Sequence, residues 1–246
     1  MVQNISDPIV RSRVQFLLED TRFLKKSDIK EKDLNSKRKK ARSFHETRIF
    51  RAVESTLALL LLIAISPLML IIALMVVIDD GFPIFFRQNR LGWKGKPFRI
   101  FKFRTMRKDA EEILKKDLVL YEKYIINDYK LPAEEDPRVT RVGKFLRRWS
   151  LDELPQFINV VRGEMHFVGP RPIVQDEIER YGEDAETFLS VKPGITGLWQ
   201  VVGRSDIGYP DRKYLDLLYI KNKTFRLDVT IFFKTFWKVI TRDGAY

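Results

Sequence analysis

The chain has 246 residues, with 45 lysines and arginines against 33 aspartates and glutamates, which gives a formal net charge of +12. Because it contains no cysteine and only two histidines, the sequence excludes a disulfide framework and a thiolate zinc site and disfavours a histidine-built metal site. The positive excess calls for a polyanionic partner, which means nucleic acid, an anionic membrane surface or a phosphorylated substrate.

The first 47 residues form a charged extension that carries the basic run KRKKAR at residues 37–42. No motif with a chemical role is visible there. The composition favours a flexible or partly helical basic arm that lies on anionic lipid. We therefore treat residues 1–47 as a basic N-terminal extension.

Residues 48–80 contain the most apolar part of the chain, because residues 57–78 are 22 residues without a charge. At about 1.5 Å per residue, such a helix is about 33 Å long, enough for the hydrocarbon core of a bilayer. Length alone therefore favours a single spanning helix with a kink at Pro67. The alternative is a re-entrant element that enters the membrane and turns back.

The flanks of this segment favour the re-entrant alternative. Residues 37–56 carry seven basic and two acidic side chains, and residues 81–108 carry nine basic side chains and no acid. Short basic flanks stay on the cytoplasmic side, and a spanning helix would place one of them outside. Pro67 offers a place to turn, and the Ser66 hydroxyl can hydrogen-bond the backbone that the proline leaves unpaired. We therefore predict a helix–break–helix over residues 48–80, broken at Ser66 and Pro67.

Residues 81–246 read as a domain of short helices and strands on the cytoplasmic face. Two short strands, FPIFFRQ and PFRIFKFRTM, are separated by the turn LGWKGK, which predicts a hairpin. The stretch KPGITGLWQV reads as a tight turn with two glycines. Helical patterns cover residues 108–128, 143–149, 150–163, 210–221 and 225–242.

The last of these patterns, FRLDVTIFFKTFWKVITR, combines aromatic residues with lysines and arginines. It fits a basic amphipathic helix in the membrane interface. A helix that packs its apolar face on the core explains the same pattern equally well. Both interpretations stay open at this point.

The segment SLDELPQ predicts a helix start, because Pro155 has no backbone N–H and fits the first turn of a helix. Ser150 and Glu153 have the spacing of a capping box, which accounts for the pattern without any function. The same geometry also suits chemistry: a helix N-terminus binds anions and keeps a nearby carboxylate ionised. An ionised Asp152 can attack phosphorus, and Asp152 with Glu153 beside substrate phosphates would suit Mg²⁺.

Arginines surround this acidic pair in the sequence. Arg147 lies just before the predicted helix start, and Arg171 lies between two prolines in GPRP, where the backbone is stiff. A single arginine is usually a solvated surface residue. Several of them around two carboxylates favour a phosphate site, because guanidinium groups bind phosphate in a bidentate manner.

The motifs KFRTM, SLDELPQFINVVRGEM, VGPRP and KPGITGLWQV, in this order, resemble the bacterial sugar transferase family. These are the monotopic polyprenyl-phosphate phosphoglycosyl transferases, and the resemblance, over about residues 48–242, is to their short form. It implies a mixed α/β, mostly helical catalytic domain with an N-terminal re-entrant helix hairpin and interfacial amphipathic helices. His166 departs from the family pattern, which more often has a small residue, and packing is its favoured role.

The resemblance also implies a reaction. Asp152 would attack a UDP-sugar, release UMP and form a covalent phosphosugar–enzyme, which undecaprenyl phosphate then attacks. Glu153 would bind Mg²⁺ together with Asp152 or help to deprotonate the acceptor. The residues implied at substrate phosphates are Arg147, Arg171, Lys102 and Arg104.

The implied setting is the cytoplasmic face of a bacterial inner membrane, with glycan assembly such as exopolysaccharide, capsule or O-antigen as the pathway. The expected partners are a UDP-sugar, undecaprenyl phosphate and membrane lipid, with no nucleic acid and with a homo-oligomer left open. The alternative is a membrane-anchored basic binding or scaffold protein without catalysis. The net charge would suit that alternative, but it leaves the acidic pair and GPRP unexplained.

Overall fold

The computed structural model describes residues 2–20, 47–126, 131–203 and 207–241. Over these residues the chain is mixed α/β and mostly helical, as predicted. The helices are α1 (Pro8–Asp20), α2 (Arg48–Asp80), α3 (Ala110–Lys116), α4 (Leu118–Ile126), α5 (Arg141–Arg148), α6 (Phe157–Val161), α7 (Ala185–Leu189), α8 (Leu198–Val202), α9 (Asp211–Asn222) and α10 (Phe225–Thr241). The strands are β1 (Phe85–Leu91), β2 (Pro97–Phe103), β3 (His166–Val168) and β4 (Gly194–Thr196), and 3₁₀ helices cover Val2–Asn4, Trp93–Gly95, Leu151–Gln156 and Gln175–Asp184.

The apolar segment forms α2, which among the described residues is the one helix long and apolar enough to cross a membrane. Pro67 lies inside it and donates no hydrogen bond to the carbonyl of Ile63, four residues earlier. The Ser66 hydroxyl donates to that carbonyl instead, at 2.8 Å. The predicted local hydrogen bond is therefore present. The helix runs through Pro67 as one element rather than as two separate helices, and the re-entrant topology stays a prediction.

Both halves of α2 contact the rest of the protein. Before the proline, Ala58 is fully buried against a cluster that includes Ile100 and Met165. After the proline, Ile72 is buried in a second cluster with Phe103 and Leu146. Apolar side chains between and around these contacts are exposed: Leu59, Leu60, Ile63, Leu70, Ile71 and Leu74. This exposed apolar surface fits membrane association.

The N-terminal residues differ from the predicted lipid-bound arm over their described part. Val10 and Val14 of α1 are buried in the main core, and so is Ile5 just before it. The Ser6 hydroxyl donates to the Asp211 carboxylate at the start of α9, at 2.6 Å. Apolar burial of this kind makes residues 2–20 part of the folded body. The run at residues 37–42 lies outside the described residues.

Strands β1 and β2 form the predicted antiparallel hairpin, with Arg87 opposite Phe101. The turn contains Lys94 and Gly95 in the left-handed backbone region, at φ 56° and 72°. Because side chains alternate across a sheet, Arg90 and Lys102 lie on the same face of the hairpin. That face is the one from which Lys102 reaches the acidic pair.

A second, parallel pairing of β3 with β4 was not predicted. Residues 194–196, expected to be a turn, pair instead with residues 166–168. The approach is very close, because a Cβ on Gly194 would lie 2.0 Å from the Gly169 nitrogen. Strands of three residues are too short to show an alternating pattern in a sequence.

The predicted helices at residues 143–149, 210–221 and 225–242 are present as α5, α9 and α10, and the pattern at 108–128 divides into α3 and α4. The last helix, α10, has one side that packs on the core and another whose exposure fits a helix in the membrane interface. Leu227 and Ile231 of α10 are fully buried in the core, whereas Phe233, Phe236 and Trp237 are each 67% exposed. One side of α10 therefore packs and the other presents aromatic residues outward.

Gly143, in the first turn of α5, lies against the backbone of Thr105. An added Cβ would lie 2.1 Å from the Thr105 oxygen, and this backbone atom cannot rotate away. We therefore expect Gly143→Ala to lower the free energy of unfolding by about 3 kcal/mol, the upper end of the usual cost of overpacking, measured by denaturant titration in detergent. Gly208→Ala is the control, since a Cβ there meets nothing within 4 Å. Equal losses in the two variants would contradict the expectation.

Candidate active site

Asp152 and Glu153 lie in the 3₁₀ helix that follows Ser150, and Pro155 lies in that same short helix. The predicted capping box does not form. Ser150 has left-handed backbone angles, φ 54° and ψ 23°, and its side chain makes no capping hydrogen bond. The Glu153 carboxylate is instead bound by two cations, and such charge-assisted hydrogen bonds are stronger than those of a neutral cap.

Lys102 joins the two carboxylates. Its Nζ donates to Glu153 Oε1 at 2.7 Å and lies 3.8 Å from Asp152 Oδ2. The two acidic side chains therefore share one small volume, as the sequence suggested. Asp152 is 8% exposed, and its carboxylate accepts no hydrogen bond from the described residues. An ionised carboxylate oxygen in this state is available for attack on an electrophile.

Arg171 lies beside the pair, as expected from GPRP. Its Nη1 donates to Glu153 Oε1 at 3.0 Å, and the Glu153 charge raises the pKa of the guanidinium. The loop is held on both sides, because Pro170 O accepts from the Gly194 nitrogen at 2.9 Å and Ile173 O accepts from the Leu91 nitrogen at 2.8 Å. This backbone holds the guanidinium in place.

Arg147 lies in the last turn of α5. Its Nε donates to the Thr105 hydroxyl at 3.0 Å, and its charge acts on Asp152, where it favours the ionised form. Burial lowers the pKa of Arg147 itself, against the effect of the Asp152 charge. Arg147 is therefore a partly buried cation near the carboxylate dyad of Asp152 and Glu153, without a direct hydrogen bond to either carboxylate.

Arg104 has a different position from the one the resemblance implied. Its guanidinium donates to the carbonyl oxygens of Asp80, Gly81 and Phe82, at 2.9, 2.6 and 3.4 Å. It also lies 3.1 Å from the Asp80 carboxylate. Arg104 directly follows β2, two residues after Lys102, but its hydrogen bonds go to the end of α2. The structure therefore places Arg104 at that helix end, and not on the dyad.

The two carboxylates of the dyad have different protonation behaviour. Burial raises the pKa of Asp152 above its usual value, although Lys102 opposes the shift. Burial would also raise the pKa of Glu153, but the charges and hydrogen bonds of Lys102 and Arg171 outweigh it and bring the pKa to about 2. The difference follows from contact, since both cations hydrogen-bond Glu153 and neither hydrogen-bonds Asp152.

Two supporting residues were not predicted. Asn159 is fully buried and ties α6 to β2, because its Oδ1 accepts from the Phe101 nitrogen and its Nδ2 donates to Arg99 O, at 3.1 and 2.8 Å. Arg90 donates to Pro172 O at 3.3 Å, and burial and the Arg171 charge lower its pKa to about 10. The alternation of side chains along β1 was the feature that could have indicated Arg90. A single asparagine in an apolar helix is too weak a feature to predict the role of Asn159.

His166 packs, as favoured from the sequence. It is 5% exposed, and its Nδ1 lies 2.5 Å from Glu54 Oε2 of α2. Burial lowers the pKa of this imidazole, with the Glu54 hydrogen bond acting in the opposite direction. The Phe167 nitrogen donates to the other Glu54 oxygen at 2.9 Å. The pair therefore joins α2 to β3.

Asp152 and Glu153 have a donor set that fits Mg²⁺, which binds through one or two carboxylates and completes its shell with substrate phosphates and water. Among the described residues no group of three or more histidine, cysteine, aspartate or glutamate side chains could hold a metal. The described residues therefore do not form a complete metal coordination shell by themselves. The two adjacent carboxylates suit a metal that arrives with a phosphorylated substrate.

Residues 45–242 match the model of the family described as bacterial sugar transferase. The chain is 46% identical over 199 residues to the undecaprenyl-phosphate galactose phosphotransferase of Salmonella typhimurium, covering 80% of this chain and 41% of that protein. It is 40% identical over 204 residues to the UDP-glucose:undecaprenyl-phosphate glucose-1-phosphate transferase of Escherichia coli, with 80% and 41% covered.

A shorter relative is matched over most of its length. The exopolysaccharide production protein ExoY of Sinorhizobium fredii is 44% identical over 200 residues, covering 80% of this chain and 87% of that protein. The chain thus spans about two fifths of the two longer relatives and nearly all of the shorter one. The match over residues 45–242 includes the dyad, GPRP and the basic hairpin, and the chain belongs to the bacterial sugar transferase family.

Proposed function

We propose that the chain transfers a sugar 1-phosphate from a UDP-sugar to undecaprenyl phosphate, releases UMP and thereby initiates glycan assembly. The observation that carries this proposal is the state of Asp152: buried, free of hydrogen bonds from the described residues, and 3.8 Å from Lys102. The relatives named for undecaprenyl-phosphate sugar transfer support the donor and acceptor classes. ExoY supports a role in exopolysaccharide production.

In the first step, an ionised Asp152 oxygen attacks the β-phosphorus of the donor. The bond between that phosphorus and the bridging oxygen breaks, UMP leaves, and an aspartyl phosphosugar forms. Lys102, Arg147 and Arg171 place positive charge where the attacked phosphate carries negative charge, which is the main catalytic contribution in phosphoryl transfer. These side chains would also favour the ionised form of Asp152.

In the second step, a phosphate oxygen of undecaprenyl phosphate attacks the same phosphorus. The bond to Asp152 breaks, the carboxylate is restored, and the lipid diphosphate sugar forms. Glu153 is poorly suited to take a proton from the acceptor, because a carboxylate with a pKa of about 2 is a weak base. We therefore propose that Glu153 stays ionised and serves as a metal ligand.

Mg²⁺ is the cofactor that we propose for this site, held by Asp152 and Glu153. When bound, it supplies positive charge to the donor diphosphate. Lys102 and Arg171 orient the Glu153 carboxylate from the protein side, at 2.7 and 3.0 Å. Their hydrogen bonds to one oxygen, Oε1, leave Oε2 for a further partner.

The function is tested by mixing purified protein in nanodiscs with undecaprenyl phosphate, Mg²⁺ and a panel of UDP-sugars. UMP release from one sugar, with a lipid-linked sugar phosphate as the second product and loss of both on adding EDTA, is the expected result. Full activity in EDTA would remove Mg²⁺ from the proposal. Absence of UMP with every sugar, from folded protein, would favour the non-catalytic scaffold.

We further propose that α2 is re-entrant and that the protein is monotopic on the cytoplasmic face of the inner membrane. A straight helix of 33 residues is about 50 Å long. If it crossed the membrane, only one of its ends could contact a cytoplasmic domain. Contacts to that domain on both sides of Pro67, by Ala58 and by Ile72, support a helix whose two ends stay on one side.

Single cysteines test this topology, because the natural chain has none. We expect two variants to resist a membrane-impermeant maleimide in intact spheroplasts and to react after permeabilisation. They are Arg48→Cys, at the first residue of α2, and Lys108→Cys, whose natural side chain lies beside Gly81, just past the last residue of α2. Glu183→Cys, on the exposed surface of the domain, is the control for the cytoplasmic side. Labelling of one end in intact spheroplasts would show a spanning helix.

A further inference from the structure

The C-terminal end of α2 contacts two elements that carry active-site cations. The Asp79 carboxylate accepts a hydrogen bond from the Val142 nitrogen at 3.0 Å, in the first turn of α5. The first N–H groups of a helix have no partner within it, and a carboxylate there also interacts favourably with the helix dipole. Asp79 thus caps from α2 the helix whose last turn carries Arg147.

Arg104 makes the second contact, from the end of β2. Its guanidinium, 8% exposed, binds the carbonyl oxygens of residues 80–82 and the Asp80 carboxylate. The last carbonyls of a helix lack partners and carry partial negative charge, so a buried arginine satisfies both needs. The Arg104 nitrogen also donates to Ile84 O at 2.9 Å. Lys102, which reaches both carboxylates, lies two residues earlier, within β2.

The contacts made by Asp79 and Arg104 are linked to each other through Thr105, which packs closely against α5. The Thr140 nitrogen donates to Thr105 O at 3.0 Å, and the Arg147 Nε donates to the Thr105 hydroxyl at 3.0 Å. Gly143 lies so close to Thr105 that no side chain fits between them. A displacement of the α2 end would therefore move β2 and α5 together, since packed interiors transmit strain.

We propose that Arg104 and Asp79 are positioning residues that couple the end of the membrane helix to Lys102 and Arg147, and so set how close these two cations lie to Asp152. This inference rests on the proposed function, in which Asp152 is the nucleophile. It gives Arg104 a role in catalysis that does not require contact with substrate. It also makes the geometry of the site depend on the seating of α2.

The expected signature is a slower chemical step with donor binding largely kept. Lys102 and Arg147 stabilise the charge that develops on the attacked phosphate, and a displaced cation does so less well. UMP release should therefore fall in kcat more than KM for the donor changes.

The test compares Asp79→Ala with Asp79→Asn in the full chain in nanodiscs. Asparagine retains an oxygen that can accept from Val142, whereas alanine removes it. We expect the alanine variant to lose on the order of 10-fold in kcat, with KM for the donor changed less. We expect the asparagine variant to remain close to the natural protein in both.

Arg104→Lys provides the second arm. An ammonium group keeps the charge but cannot span three carbonyls as the guanidinium does, so we expect the same direction of change as in Asp79→Ala. Lys144→Met, which removes an exposed ion pair with Glu134 from α5, is the control and should leave kcat unchanged. Loss of Tm with an unchanged kcat in Asp79→Ala and Arg104→Lys would overturn the proposal and leave these residues a structural role.

Hydrogen exchange separates this inference from the proposed function. In Asp79→Ala and Arg104→Lys, but not in Asp79→Asn, amides of both residues 98–106 and residues 141–149 should exchange faster. If the natural protein releases no UMP from any donor, the proposed function fails while this coupling is still measured. If exchange changes in neither segment, or in Asp79→Asn as much as in Asp79→Ala, the coupling itself is absent.

Discussion

Asp152→Asn is expected to lower the rate of UMP release by on the order of 10⁴-fold or more, since removal of a covalent nucleophile leaves only the contributions of binding and electrostatics. The amide has nearly the shape of the carboxylate but is not a nucleophile. Stability should be kept or raised. Burial raises the pKa of Asp152 in the folded state, so its ionised form opposes folding at neutral pH, and the neutral amide removes that cost.

The measurement is UMP release at saturating donor, together with thermal unfolding of the same preparation. Asp176→Asn, the same change at an exposed position, is the matched control and should keep the natural rate. A donor labelled in the sugar phosphate should leave label on the natural protein in the absence of acceptor, and none on Asp152→Asn. A variant that still turns over at the natural rate would exclude Asp152 as the nucleophile.

Lys102→Met has the second large expected effect, because Lys102 is the one cation that reaches both carboxylates of the dyad among the described residues. Its removal leaves a buried carboxylate pair with Arg171 as the remaining direct partner. Side-chain exposures of 12–18% for the three groups place them between a surface pair and a fully buried one. We therefore expect a loss of about 2–3 kcal/mol in the free energy of unfolding, below the value for a fully buried pair.

The pH dependence of that loss is part of the prediction. In the natural protein the pKa of Glu153 is depressed to about 2 from its ordinary value of 4.5, so it contributes stability above pH 4.5 that is lost as the pH falls towards 2. In Lys102→Met the pKa of Glu153 in the folded state is less depressed, so the low-pH edge of this window rises towards 4.5 and less stability is gained above it. The measurement is the denaturation midpoint from pH 3 to pH 7, a range of about four units that includes most of the window.

Two further variants separate the effect of the Lys102 charge from that of its packing. Lys102→Arg retains a cation and should keep most of the stability, although a planar guanidinium will not reproduce the same contacts. Lys102→Met combined with Glu153→Gln should recover part of the stability lost in the single variant, because it removes the uncompensated charge. No recovery in the double variant would mean that packing of the Lys102 stem, and not charge, accounts for the loss.

Most of the residues around Asp152 and Glu153 could be predicted from short segments of the sequence. Pro155 places Asp152 and Glu153 in the first turn of a helical segment, and the prolines of GPRP stiffen the backbone around Arg171. The predicted capping box of Ser150 and Glu153 does not form, and the cause lies far from this segment in the sequence. Lys102, about 50 residues earlier in the chain, donates to Glu153 and competes with the local cap.

The chain by itself determined the long apolar helix, the Ser66 hydrogen bond that compensates for Pro67, the basic hairpin and the adjacent carboxylates. Each of these depends on residues within a few positions of one another, where helical and strand periodicity act. Only the tertiary structure decided that Arg104 binds the end of α2, that β3 pairs with β4, and that residues 2–20 join the core. These contacts join segments that lie from about 20 to about 200 residues apart, and their free energy comes from burial and charge neutralisation at sites that exist only once the chain has folded.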